Sequence, residues 1–437
     1  MKPPPVRTLV GWGLTSLTLL AAAAIVAALG IHAWGVHRLD TAQAVFDSRW
    51  GELVDPPIPS QVPDHLNGAR WLVAGGQAVI CTMEDYKFYG VLADRPARSW
   101  SDTELAHARR ILHEQRAALD ILLRSASFDA YHFGNGGLRP RHHEIDFLSI
   151  IRGLRLLVLH ARLAWYDGRP MQCLEALEVV GRAADGLMRT PVVMASTLGS
   201  GSVRWVVWAA ADVVADPCAT MAVLDRLRAG LPSVDPVHAN DITMACSVAE
   251  IARDGLGYVE DFHDPSMGWS LPFWISNHFL FEDLFVAEIL NRWGRYLELC
   301  RQPAARWPPN PSSEIWGDPA WPPWLALAGT ITPNLFAGRA RAQTAATELQ
   351  QLRLALDLRS SSPTGLDRGI CGRVEASQST PLTGEPVVCR FDDERQVIVI
   401  DVPQGTETLI GHATLDNRSE HLFPIELVIG PTRELCR

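Results

Sequence analysis

Apolar residues run almost unbroken from Leu9 to Trp34, and no charged residue falls between Arg7 and Arg38. An α-helix rises about 1.5 Å per residue, so about 20 apolar residues cross a bilayer core of about 30 Å. Residues 9–34 are therefore expected to form a transmembrane anchor behind a short tail, residues 1–8. Trp12 and Trp34 stand near its two ends, where indole rings favour the membrane interface. The helical pattern continues through 38–54 and stops at Pro56-Pro57. A cleaved signal peptide ending at Ala28-Leu29-Gly30 is the alternative, but the run exceeds the usual h-region of about 7–15 residues, which favours a retained anchor.

Helical spacing dominates the chain beyond the anchor. It predicts helices over 65–83 and from the capping box Ser101-Asp102-Thr103-Glu104 to about Ser125. Two more follow over 144–165 and 171–187, joined by Asp167-Gly168-Arg169-Pro170. So short a connection makes them an antiparallel αα-hairpin. Thr190-Pro191 reads as the N-cap and first turn of a helix reaching Val214. Shorter helices are expected at 219–229, 236–256 and 278–300. Eight prolines break 302–334 into an irregular Pro/Trp-rich connection. A final helix over 337–358 precedes a small β region, with a hairpin of 387–391 and 396–402 and further strands at 407–414 and 424–430. The expected fold is thus mainly α: a transmembrane helix, a helical ectodomain over 35–301, the connection over 302–334, and a helix plus small β-containing region over 335–437.

Composition narrows the function classes. With 437 residues, 47% hydrophobic and 20% charged, the chain has ample material for a core, and disorder is excluded. A net charge of −10 argues against nucleic-acid binding, since phosphate contacts need a basic surface. Mean hydropathy of only +0.04 excludes a polytopic membrane protein. A second span at 191–213 is disfavoured by Arg204 and Gly199-Ser200-Gly201, which point to a buried soluble helix. Lys2 and Arg7 precede the anchor, and no acid appears before Asp40. Positive-inside logic then predicts a single-pass protein of the inner, cytoplasmic membrane, with its N-terminus cytoplasmic and its bulk periplasmic or otherwise extracytoplasmic.

The densest potential chemistry is Arg139-Pro140-Arg141-His142-His143-Glu144-Ile145-Asp146, with His132 and His160 as possible neighbours. Imidazoles and carboxylates bind metals and transfer protons. His143 and Asp146 share a helical face at i,i+3. The spacing is not HExxH, and a polar helix start explains the same residues, with Glu144 favoured by the helix dipole. Arg152, Arg155 and Arg162 fall on one helical side and read as a solvated face. Phe133-Gly134-Asn135-Gly136-Gly137 matches no phosphate-binding pattern, and no GxSxG occurs. No cofactor is expected. Trp269, Phe273, Trp274, Phe279 and Phe281 form an aromatic stretch suited to a partner or to the membrane surface, though core packing accounts for it as well. Eight cysteines in an exported chain permit disulfides, and Cys371–Cys389 is the expected pair.

The segment LRLLVLHARLAWYDGRPMQCLEALEVVGRAADGLMRTPVVMASTL (154–198) resembles the central part of membrane-anchored bacterial proteins that have no assigned activity. ELQQLRLALDLR (348–359) followed by TGEPVVCRFDDERQVIVIDV (383–402) is similar to the C-terminal segment of those proteins, and to type II secretion pseudopilins. Ser360–Gly365 stands where pseudopilins carry Gly-x-Tyr-Pro, and the anchor lacks the prepilin processing pattern, so a true pseudopilin is not expected. The resemblance implies an architecture and supplies no catalytic residues. The hairpin also looks like one tetratricopeptide-type unit, without a 34-residue period to support an array.

Three functions follow as expectations. The first is an anchored envelope protein with a non-catalytic binding or scaffolding role, held to the membrane by residues 9–34 and engaging an envelope protein partner. The second is a metal-dependent envelope hydrolase using His142, His143, Glu144 and Asp146. The third is an accessory subunit of a secretion system or other membrane assembly.

Overall fold

The computed structural model describes residues 6–54, 62–80, 82, 84–85, 88, 97–133, 145–254, 281–308, 311, 315, 335–361, 379–401 and 425–428. The protein is mainly helical, with a small antiparallel sheet near the C-terminus. The helices are α1 (Val6–Val54), α2 (Gly68–Ala78), α3 (Asp102–Glu114), α4 (Arg116–Arg124), α5 (Phe147–Tyr166), α6 (Pro170–Met188), α7 (Val193–Ala215), α8 (Met221–Gly230), α9 (Pro236–Asp254), α10 (Glu282–Cys300) and α11 (Leu335–Ser361). The strands are β1 (Val388–Asp392), β2 (Val397–Asp401) and β3 (Ile425–Val428). They form two compact units. One comprises residues 1–56, 245–298 and 312–333; the other comprises 57–244, 299–311 and 334–437.

In the first unit the expected anchor and its continuation are one unbroken helix of 49 residues. Leu17, Leu20, Ile25 and Val26 are each at least 60% exposed. So apolar and exposed a surface is compatible with a transmembrane or signal anchor. Among the described residues this is the one helix long and apolar enough to cross a membrane. From Gly35 onward one face turns inward, with Gly35, Ala42, Phe46 and Trp50 buried at helical spacing. Helix α10 lies along this stretch. His32 Nδ1 stands 3.5 Å from Asp283 Oδ2, and Arg38 stands 4.0 Å from Glu288. Arg49 pairs with Glu298.

The second unit is built around α5, α6 and α7, whose buried residues form one continuous core. The expected αα-hairpin is present. Its turn places Gly168 at φ +71°, a conformation that costs only glycine nothing. Ser101 and Glu104 form the expected capping box at α3. The long helix predicted over 101–125 is interrupted at Gln115, whose side chain leaves the helical pattern to bond both backbone groups of Ile80. Thr190 does not cap α7 as expected. Its hydroxyl donates backward to Gly186 O at 2.9 Å, and α7 starts at Val193 without a side-chain cap. Helix α2 meets α5 closely enough that a Cβ on Gly76 would lie 1.9 Å from Ser149 O.

The predicted hairpin pairs β1 with β2, from Val388↔Asp401 to Asp392↔Val397. Strand β3 then adds to β2 in the antiparallel sense, Val397 opposite Val428. The strand expected at 407–414 lies outside the described residues.

Candidate functional site

Of the cluster singled out in the sequence, His142, His143 and Glu144 lie outside the described residues, while Asp146 lies within them. Its carboxylate caps α5, accepting from Ser149 N at 3.1 Å and Ser149 Oγ at 2.7 Å, and from Gln77 Nε2 at 3.1 Å. Burial opposes its ionisation. The Ser149 and Gln77 hydrogen bonds and the nearby Arg152 outweigh that, holding the carboxyl below its ordinary range. Asp146 is thus a committed, ionised helix cap.

His160 does not join it. Fourteen residues separate the two along one helix, an axial distance of roughly 21 Å. His160 is buried, and burial with the charge of Arg169 pushes its pKa down to about 4. Its Nε2 has no hydrogen-bond partner among the described residues. His132 belongs to another junction, where Asn67 Oδ1 accepts from its backbone N–H at 3.0 Å. Among the described residues no group of three or more His, Cys, Asp or Glu is placed to hold a metal ion.

The three arginines expected to form a solvated face divide into different roles. Arg155 lies over the Trp205 ring at 5.6 Å. Arg162 is only 2% exposed, facing the core where α5, α6 and α7 meet. It shares that interior with Cys173 and Asp212. Burial pushes the Asp212 carboxyl up, against the pull of Arg162 and Arg98 and a hydrogen bond from the Ala97 N–H. Burial likewise pushes the Cys173 thiol up to about 12, which leaves it un-ionised and a poor nucleophile. Polar groups from α5, α6 and α7 thus lie within electrostatic reach of one another here.

Three further constellations emerge that sequence reasoning did not single out. The first joins α7 to α11. Arg204 Nε and Nη2 donate to the two Glu348 oxygens at 3.0 and 3.2 Å, with Trp208 Nε1 on the same carboxylate at 3.3 Å. The guanidinium also lies 4.7 Å from the Trp208 ring centre. The second surrounds Asp85, which accepts from Thr82 Oγ1 at 2.8 Å and from Arg110 Nη2 at 3.0 Å, and meets His107 Nε2 at 3.1 Å. Burial opposes the charge, but His107, Thr82 and Arg110 outweigh it and bring the pKa to about 2. Thr82 and Asp85 carry the [ST]-x-x-[DE] spacing of a reciprocal helix cap, which is legible in the sequence. The third is Arg339, 1% exposed, which pairs with Asp241 at 2.9 Å and donates to the carbonyls of Val237 and Cys300.

A cleft of about 750 Å³ opens in the second unit between the start of α9, the outer face of α11 and the turn at 379–387. Such a volume suits a small molecule or a short peptide segment. Asp235, Gln350, Arg353, Asp357, Ser379 and Pro386 supply its character. Arg353 is held by a bond to Pro232 O at 2.8 Å, and Asp357 by one from Arg228 at 2.7 Å. The walls thus carry both signs of charge. Among the described residues this cleft has room for part of another molecule.

Cysteine chemistry differs from expectation. Cys389 is a buried thiol on the inner face of β1, packed into the core, so the expected bridge to Cys371 is not formed. Cys371 itself lies outside the described residues. Cys173, Cys246 and Cys300 are buried thiols as well. Cys218, in the exposed turn between α7 and α8, is disulfide-bonded. Of the aromatic stretch, Trp269, Phe273, Trp274 and Phe279 lie outside the described residues, whereas Phe281 stands at the start of α10. No family model, curated protein or solved structure matches the chain.

Proposed function

We propose that the chain is a single-pass membrane-anchored protein whose body binds or scaffolds a partner rather than carrying out catalysis. The observation that carries this reading is α1: an exposed apolar helix that continues without a break into a packed body. The strongest polar constellations of the body support it, because their groups are engaged in holding helices together. Asp146 caps α5, Glu348 binds Arg204, and Asp241 binds Arg339. The cleft between α9, α11 and the 379–387 turn is the surface assigned to the partner.

The orientation belongs to the same proposal. Lys2 and Arg7 favour a cytoplasmic N-terminus, which places the body on the periplasmic side of the inner membrane. The disulfide at Cys218 supports this, since such bonds persist in oxidising compartments. The test is a pull-down from detergent-solubilised membranes with the full chain and with Arg353→Glu. The wild-type chain is expected to retain a stoichiometric partner that the folded variant loses. Recovery of monomeric protein alone, or equal retention by the variant, would overturn the reading.

A further inference from the structure

The pairs between α1 and α10 advance in the same direction along both helices. His32 meets Asp283, Arg38 meets Glu288, and Arg49 meets Glu298. The two helices are therefore parallel. His32 to Arg49 spans roughly 26 Å of helix axis, and Asp283 to Glu298 roughly 23 Å. So close a match keeps the register along the whole contact. At its beginning the backbones come near one another, because a Cβ on Gly35 would meet Asp283 Cβ at 3.2 Å and Leu284 Cγ at 3.5 Å.

This register fixes the level at which α10 starts. Side chains 15–27 of α1 are exposed all round and, apart from Thr15, Ser16 and Thr18, apolar, and inward packing begins between His32 and Gly35. Trp34 is 54% exposed, with the Arg38 guanidinium 5.7 Å from its ring centre. An exposed indole beside the first cation after an apolar span is the chemistry of a bilayer interface. Asp283 lies opposite that point. Phe281 and Leu284 flank it within the same turn, and the chain arrives there from the aromatic run noted in the sequence.

We propose that Phe281–Leu284 sits at the headgroup level of the bilayer crossed by α1, so that the parallel α1–α10 pair seats the first unit directly on the membrane surface. The occupant of this collar is the phospholipid interface itself. The inference rests on the anchor reading above and adds a second contact to it. A parallel two-helix seat restrains the tilt of α1 as it leaves the membrane, where a single flexible linker would not.

The test uses the full-length protein in vesicles of phosphatidylcholine and phosphatidylglycerol. Nitroxide labels are placed through Trp34→Cys, Glu282→Cys and Glu298→Cys, with unsubstituted protein correcting for native thiols. Collision with lipid-dissolved oxygen is compared with collision with an aqueous nickel chelate. The oxygen-to-nickel ratio is expected to match at 34 and 282 and to be several-fold lower at 298. A label at 282 as aqueous as that at 298, with 34 remaining interfacial, overturns the seat and leaves the anchor standing. Aqueous labels at both 34 and 282 overturn the anchor reading, and the seat with it.

Discussion

Removing one partner of the Arg204–Glu348 pair should cost the second unit about 3–5 kcal/mol of stability. The two side chains are 6% and 2% exposed, so neither charge has water to fall back on. Glu348→Ala takes away two hydrogen bonds from Arg204 and one from Trp208, and leaves a guanidinium in the interface between α7 and α11. Breaking a buried pair from one side typically costs about 3–5 kcal/mol, most of it the penalty of the stranded charge. Replacing both partners by apolar residues, Arg204→Met with Glu348→Leu, removes the stranded charge as well. The double variant should therefore recover most of the loss and lie within about 1–2 kcal/mol of wild type. The assay is urea unfolding of the detergent-solubilised chain, followed by circular dichroism in the four members of the cycle. If the two single losses simply add in the double variant, the groups do not interact as a buried pair, and the reasoning fails.

Other consequences can be checked with the same assay. The pKa of His160 is depressed in the folded state, from 6.5 to about 4. Between these values the unfolded chain binds a proton that the folded chain refuses, so stability is lost as pH falls through that window. The wild-type chain should lose about 2 kcal/mol more than His160→Leu between pH 7 and pH 5, and parallel losses in the two would contradict this. A Cβ on Gly76 would press into the backbone of Ser149, whereas one on Gly201 in α7 meets nothing within 4 Å. Gly76→Ala should cost about 1–3 kcal/mol, and Gly201→Ala should leave stability unchanged or raise it by up to about 1 kcal/mol. Equal effects at the two glycines would show that close packing of α2 on α5 is not what fixes Gly76.

The helical pattern was readable because helix formation is local and its signals repeat every turn. The hairpin turn at Gly168, the capping box at Ser101 and the β1–β2 hairpin all declare themselves within a few residues. What could not be read depends on distant partners. Arg204 signals from sequence that its helix is no membrane span, yet nothing in its neighbourhood points to Glu348, 144 residues away. Arg162 fits the polar stripe of α5, and its burial depends on where α6 and α7 pack. Thr190 misleads because a threonine hydroxyl can serve either the helix ahead or the carbonyl behind, and here the carbonyl of Gly186 wins. The His142-His143-Glu144 group lies outside the described residues, but the sequence overstated its neighbours. The i,i+3 relation of His143 to Asp146 ignores the demand of α5 for an N-cap, which Asp146 meets. Its distance from His160 follows from helical rise alone and was available from the start.

Helix α1 is proposed to span the membrane and carry a folded body. The most direct test compares the membrane partition of the full chain with that of residues 35–437 after an alkaline wash. The account predicts that the full chain stays with the bilayer while the shortened chain is released as folded protein. Release of the full chain by the wash, or retention of the shortened one, would contradict it.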